Sequence, residues 1–482
     1  MKDLIINIRE NLLTVLQQID RNGKRTVFIV DDNEKFVGVI TDDDILRLIL
    51  VKKSLNSTIG EIIGDKVSLS AKYGDDHTEI IRNMDAETNI VPLLNDSHEV
   101  IDYLEFKKEF RAPIASTELS GNELAYVIEC VSTNWISSQG RFVNIFEESF
   151  AEYIGVQCGV AVANGTAALH LALVALEIGP GDEVIVPDLT FAATINAVLY
   201  VGATPVLIDI EDGSWCIDPA MIEKAITSKT KAIIPVHLYG YPCDMEKIMR
   251  IAEQHNLYVI EDCAQAHGAE FDRAKVGSFG QISCFSFFAN KIITTGEGGM
   301  CLTNDLELDR KIRILRDHGM RPGKKYWHDV VGYNYRMTNL QAAIGVAQLE
   351  RVDQILQKRE NIRHWYHKRL SDSKVLNCQI PLPNRKTVTW LVSFVINDKY
   401  QDRQMIINKA MKSNIIIRPL LNALSSMPLY ACYSSRPLIN SIKIAKQGLS
   451  LPTVIGLTED EYAFICREIK KIIDKDDEND NC

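Results

Sequence analysis

The stretch FSFFANKIITTGEGGM, residues 285–300, sets one lysine, Lys291, between an aromatic, strand-like run and a turn rich in Gly and Thr. Lysine is a point charge whose pKa falls readily on burial, and a buried amine is suited to attack on a carbonyl. Two further polar features precede it. VIEDCAQAHG ends a very apolar run with Glu261 and Asp262, followed by Gln265 and His267, and VANGTAAL puts Asn164, Gly165 and Thr166 where an apolar run turns into a helix. A helix start offers free N–H groups and a positive dipole, which together make an anion site. Anion cradle, strand-end acid and strand-end lysine, in that order, suit pyridoxal phosphate, which needs its phosphate held, its ring nitrogen kept protonated and its aldehyde bound. Each feature alone has a plainer reading, Asn-Gly-Thr as a turn with an N-cap and Asp262 as the cap of the next turn. There is no Gly-x-Gly-x-x-Gly and no Walker sequence, which argues against dinucleotide or ATP chemistry.

Such residues need elements that bring strand ends together. From about Ala112, CGVAVA, EVIVP, TPVLIDI, KAIIPVHLYG and LYVIEDCA read as short buried strands separated by helices. That alternation is the signature of a mostly parallel α/β sheet, in which ligands bind beyond the carboxyl ends of the strands. The long apolar stretch from Phe191 to Ile208 contains Asn196, Gly202 and Pro205, so it reads as a core helix and a strand rather than a membrane span. After about Glu350 the alternation weakens, and WLVSFVI, IIIRPL and EDEYAFICREIKKII suggest a smaller α+β domain, with Arg418 a candidate anion contact.

The first hundred residues differ. TVFIVDDNEKFVGVI is a strand, a polar turn and a strand, and IVPLLNDSHEVIDYL repeats it from Ile90, 64 positions after Thr26. Each copy follows a helical stretch, NLLTVLQQIDRNG and HTEIIRNMDAET, so the segment reads as a small pseudo-symmetric module. Thr41-x-x-Asp44 ahead of ILRLIL reads either as a capping box or as a ligand motif. These breaks give an N-terminal module over 1–108, a large domain over 109–355, a small domain over 356–473 and an acidic tail over 474–482, expected to be disordered.

Composition narrows the classes. The 482 residues carry 53 Lys+Arg against 64 Asp+Glu, a net charge of −11, which argues against a nucleic-acid binder. Eleven cysteines are scattered without a C-x-x-C pair, and the N-terminus interleaves charges with apolar residues. A cytoplasmic protein with reduced, buried thiols and no metal site is expected.

Two resemblances follow. The N-terminal module resembles a pair of CBS domains, through the paired strand–turn–strand copies and GVITDDD. In that family the residues matching Thr41 and Asp44 hold the ribose and phosphate of a nucleotide, whereas the second copy has EFKK there. From about Ala112 to Lys471 the chain resembles the DegT/DnrJ/EryC1/StrS sugar aminotransferases, of fold type I and dependent on pyridoxal phosphate, through NGTAAL, PDLTF, EDCAQAHGA, FSFFANKIITTGEGG and GYNYRMTNLQAAIG in order. TNWISSQGRFV, IPVHLYG and NKIITTGEGG draw it toward the perosamine-forming, GDP-4-keto-6-deoxymannose type.

The resemblance implies that Lys291 binds the cofactor aldehyde and shuttles a proton, that Asp262 pairs with the pyridine nitrogen, and that Gln265 lies near the ring hydroxyl. Phe191 would stack on the ring, and Thr166, Ala167 and Ser286 would hold the phosphate. Asn334 would reach the cofactor of a second subunit, making a homodimer with shared sites. L-glutamate would donate the amine and a nucleotide-linked 4-keto-6-deoxy sugar would accept it, for a surface polysaccharide such as O-antigen. Relatives that dehydrate the sugar carry a histidine at the place of Lys291, so lysine favours transamination. The competing readings are a sugar dehydratase on the same scaffold and a nucleotide-sensing regulator without catalysis. A regulatory nucleotide at Thr41 and Asp44 is compatible with the aminotransferase.

Overall fold

The computed structural model describes residues 2–50, 53–62, 69–74, 90–105, 110–373, 375–397, 403–434 and 436–474. The chain divides into two compact units, Met1–Phe110 and Arg111–Cys482.

In the first unit the helix Leu12–Asn22 starts where the Asn11 side chain accepts from the Thr14 N–H at 2.9 Å. It stops at Gly23, whose φ of 62° is open to glycine at little cost. Its apolar face buries Leu12, Val15 and Ile19 with Val27 and Ile29. Strand Ile5–Asn7 pairs parallel with Thr26–Val30, which pairs antiparallel with Phe36–Thr41. Ala71–Lys72, Ile90–Leu94 and Val100–Glu105 repeat that pattern, parallel then antiparallel. The internal repeat is therefore a repeat of sheets. The helix expected over HTEIIRNMDAET and most of EFKK lie outside the described residues.

In the second unit seven strands form one sheet, in the order Thr204–Ile208, Glu183–Pro187, Thr230–Ile233, Tyr258–Asp262, Ile282–Ser286, Gly299–Thr303, Cys158–Val162. Neighbours are parallel except around Gly299–Thr303, which runs antiparallel to both of its partners. The strands are nearly continuous apolar runs because helices cover both faces. One of those helices, Gly165–Ala175, is apolar almost all round and correspondingly buried. Toward its C-terminus the same unit has a four-stranded sheet ordered Leu376–Asn377, Val392–Ile396, Gly448–Leu451, Arg418–Pro419. Helix Glu459–Asp474 packs on Val352–Leu370 and Arg403–Lys412. Arg418 is exposed there.

One expected element is shorter than its sequence suggests. The aromatic strand FSFFANK ends at Ser286, because Phe287 leaves the ladder to bond the returning turn: its N–H donates to the Gly298 carbonyl and its carbonyl accepts from the Thr295 N–H. Lys291 thus sits in a loop beyond the strand and not at its end. The acidic tail, from residue 475, lies outside the described residues. No helix among the described residues is long and apolar enough to cross a membrane.

Candidate active site

Strand Tyr258–Asp262 delivers Asp262 at its carboxyl end, 5% exposed. Thr194, in the first turn of helix Ala192–Tyr200, donates its hydroxyl to Asp262 Oδ2 at 2.8 Å, and the Ala264 N–H reaches Oδ1 at 3.2 Å. Thr190 Oγ1 stands 2.9 Å behind Thr194 Oγ1. Burial pushes the Asp262 carboxyl up from its ordinary pKa, and these hydrogen bonds and the nearby Lys291 charge pull it back. In Thr194→Val, Asp262 loses a donor that favours its charged form. The acidic limb of the activity profile is expected to move to higher pH, with a loss of about 1–3 kcal/mol of stability in a denaturant titration.

Lys291 is held by its own loop. Its N–H donates to the Phe288 carbonyl at 2.9 Å, and its carbonyl accepts from Arg359 at 3.3 Å. Its Nζ lies 4.1 Å from the centroid of the Trp390 ring. Burial lowers the amine to about 8, with Asp262 acting in the opposite direction. The lysine and the acid are thus in electrostatic reach of each other, and the free amine is more available near neutrality than on an exposed lysine.

The anion cradle is built from three elements. The Asn164 side chain caps helix Gly165–Ala175 by accepting from the Ala167 N–H at 2.9 Å, so that N–H is already engaged. The N–H groups of Gly165 and Thr166 open the helix and have no intrahelical acceptor. Backbones crowd closely here. A Cβ on Gly165 would lie 2.8 Å from that of Ser286, and one on Gly299 would lie 2.5 Å from the Asn164 carbonyl. Gly165→Val is therefore expected to push Ser286 away, weakening cofactor affinity measured by fluorescence titration and costing about 1–3 kcal/mol of stability.

The other expected residues fall around this centre. Phe191 immediately precedes the Thr194 helix and is 59% exposed, leaving its ring free to stack. Gln265 is buried, and its Oε1 accepts from the Tyr239 N–H at 2.7 Å, so its amide nitrogen is the end left for a ligand. Asn334 is exposed, next to Tyr335, whose carbonyl accepts from the Ala163 N–H beside the cradle. Thr194, Trp390 and Arg359 were not anticipated. Thr194 carried a faint signal, as a polar residue in the first turn of an apolar helix. Arg359 carried none, since QKRENIR reads as a solvated helix face.

His237, Glu261 and Cys263 also lie close together, and all three are buried. They do not make a metal site. His237 Nδ1 accepts from the Cys243 N–H at 3.0 Å, which leaves Nε2 as the protonated nitrogen facing Glu261 Oε2 at 3.1 Å. Glu261 also accepts from the N–H groups of Gly277, Phe279 and Gly280. Burial keeps the Cys263 thiol well above its usual pKa. A cavity of about 590 Å³, lined by residues including Tyr239, Gly268, Leu356, Arg363 and Thr389, has neither Lys291 nor Asp262 in its wall.

The cluster fits pyridoxal phosphate in its donor set: two helix-start N–H groups beside a serine for the phosphate, a buried carboxylate for a ring cation, and an amine with a lowered pKa for the aldehyde. The family model for DegT/DnrJ/EryC1/StrS aminotransferases matches residues 117–470, and that for the CBS domain matches residues 1–51. The chain is 47% identical to a GDP-perosamine synthase of Caulobacter vibrioides over 75% of this chain and 98% of the relative. It is 42% identical to a GDP-perosamine synthase of Escherichia coli O157:H7 over 74% of this chain and 98% of the relative. The solved aminotransferase from Psychrobacter cryohalolentis superposes with a TM-score of 0.72 at 32% identity, covering 76% of this chain and 100% of that one. The chain belongs to the DegT/DnrJ/EryC1/StrS family and is a pyridoxal-phosphate-dependent aminotransferase of fold type I, carrying a CBS domain at its N-terminus.

Proposed function

We propose that the protein transfers the amino group of L-glutamate to C4 of a GDP-linked 4-keto-6-deoxy sugar, as a perosamine synthase, toward a surface polysaccharide. Two observations support the substrate. Relatives at 47% and 42% identity are GDP-perosamine synthases, and nearly their whole length is matched. The observation that carries the reaction type is Lys291, a buried amine with its pKa lowered to about 8, within electrostatic reach of Asp262. Dehydration of the sugar would use a base that cannot bond the aldehyde, and a lysine can.

Bound pyridoxal phosphate supplies an electron sink that weakens the C–H bond of the carbon bearing the amine. In this reading Lys291 takes that proton and returns it, which general acid–base catalysis by a group with a pKa near ambient pH does efficiently. Asp262, held by Thr194, keeps the ring nitrogen protonated. Gly165, Thr166 and Ser286 position the phosphate, with the Ala167 N–H taken up by the Asn164 cap, Phe191 covers a ring face, and Gln265 meets the ring hydroxyl. The 2-oxo acid leaves before the sugar reacts, so kinetics are ping-pong.

A homodimer with shared sites is part of the reading. Phe191 and Asn334 lie on open surface, and Leu124, Ile128 and Val131 make an exposed apolar stripe on helix Glu123–Ser132. In the N-terminal unit Thr41 and Asp44 already satisfy each other. The Thr41 N–H donates to Asp44 Oδ2 at 3.0 Å, and the Asp44 N–H donates to Thr41 Oγ1 at 3.1 Å. A regulatory nucleotide would have to share these groups. A cytoplasmic location fits the scattered, mostly buried free thiols.

The test is product analysis. Full-length protein with L-glutamate and GDP-4-keto-6-deoxymannose should yield the 4-amino sugar by mass spectrometry, faster than with the UDP or dTDP analogues. A 3-deoxy product would instead establish the dehydratase. Rates unchanged across adenosine and guanosine nucleotides would remove the regulatory role.

A further inference from the structure

We propose that the indole face of Trp390 is the resting place of the Lys291 amine whenever that lysine is not bonded to the cofactor. The inference rests on Lys291 as the reacting lysine. A lysine in this role is bonded to the cofactor for part of each cycle and free for the rest. While free it must stay within reach, in a site whose burial disfavours its charged form.

Trp390 meets that need. The Lys291 Nζ lies 4.1 Å from the ring centroid, inside the range where an aromatic face attracts a cation. Trp390 is 7% exposed, and Tyr239 stacks on it at 5.6 Å between centroids and 18° between planes. Its Nε1–H donates to the Asn290 carbonyl at 2.8 Å, so the ring is tied to the residue preceding the lysine. Arg359, 1% exposed, donates to the Trp390 carbonyl at 3.0 Å and to the Lys291 carbonyl at 3.3 Å. The platform and the lysine loop are therefore held as one piece by a buried guanidinium.

An aromatic face serves here where a carboxylate in contact would not. A carboxylate at hydrogen-bond distance would hold the ammonium and raise its pKa by a unit or more. The charged and titratable groups around Lys291 include Asp262, which favours the ammonium, Arg359, which bonds the Lys291 carbonyl, His267, and Tyr239, stacked on Trp390. Burial holds His267 neutral, near a pKa of about 3. The ring adds a weaker attraction, enough to place the ammonium yet slight enough to release it.

The test is the pH dependence of Lys291 labelling by a small amine reagent, located by peptide mass spectrometry, in the full-length protein dialysed free of cofactor. Trp390→Leu removes the face, and the ratio of free amine to ammonium at a given pH should rise about 2- to 30-fold. Trp390→Phe keeps an aromatic face but loses the indole N–H bond, and should stay nearer wild type. A Leu variant that titrates like wild type, or Phe and Leu variants that shift equally, would overturn the proposal. Borohydride reduction of the wild-type holoenzyme tests the underlying reading separately. If the cofactor is trapped on a residue other than Lys291, that reading falls, whatever the labelling shows.

Discussion

Replacing Lys291 by methionine is expected to lower transamination by about 10⁴-fold or more while the protein still folds and binds the cofactor. Positioned proton transfer alone is worth about 10²–10⁴, and the substitution also removes the group that bonds the aldehyde. The anion cradle and Asp262 remain, so cofactor should still bind, without a covalent link. Borohydride treatment followed by dialysis separates the two cases, since only wild type should keep the cofactor fixed. Stability should move the other way. The folded-state pKa of Lys291, about 8, lies below its ordinary 10.5, so between those values the unfolded chain binds more protons than the folded one. Stability of wild type therefore rises with pH across that window, and below pH 8 the amine is a cost. Methionine keeps most of the packing and removes the charge. The cofactor-free variant should gain about 1–3 kcal/mol at pH 7 and less at pH 10, read from urea midpoints. A larger gain at pH 10 would contradict a buried, destabilised amine.

The reacting groups were legible because each stands where a short apolar run breaks. Asp262 closes VIED, Asn164 and Gly165 interrupt VAVANG, and Lys291 follows FSFFAN, so the period change from strand to turn marks the ligand-binding edge of the sheet. What holds those groups was not legible, because it comes from distant parts of the chain. Thr194 meets Asp262 across 68 positions, Trp390 reaches Asn290 across 100, and Arg359 reaches Lys291 across 68. Local pattern carries no trace of such pairings. The end of the aromatic strand was misplaced for a related reason: FSFF has strand propensity throughout, and only the hydrogen bonds of Phe287 to the returning turn stop the ladder at Ser286. In the N-terminal unit the matching apolar run, polar turn and second apolar run were enough to show the repeat, since the core of each copy is a local antiparallel hairpin.

Asp262→Asn should lose about 10²–10³ in transamination, with the shape of the site nearly unchanged. Asparagine can keep its Oδ1 on the Ala264 N–H and turn its amide nitrogen toward Thr194, whose hydroxyl then accepts instead of donating. It brings no negative charge to hold a proton on the ring nitrogen, and preorganised charge of this kind is often the largest single contribution of a site. Burial raises the Asp262 pKa in the folded state, so its carboxylate is a cost that appears as pH rises through the folded-state value and persists at neutrality. The cofactor-free Asn variant is therefore expected to be more stable than wild type at pH 7, with the gain vanishing in acid where both states are protonated. Lys291 responds as well. Asp262 holds the lysine pKa up against burial, so in the Asn variant the amine should deprotonate below about 8, seen in the pH dependence of its labelling. The two groups are coupled through this attraction, and a double-mutant cycle with Lys291→Met measures it directly. Each single substitution leaves its partner without an opposite charge in a buried site, whereas removing both leaves nothing uncompensated. The stability gain of the double variant should therefore exceed the sum of the single gains. Additive values would mean that the lysine and the acid do not interact in the resting protein, and the charge pairing inferred for the site would have to be abandoned.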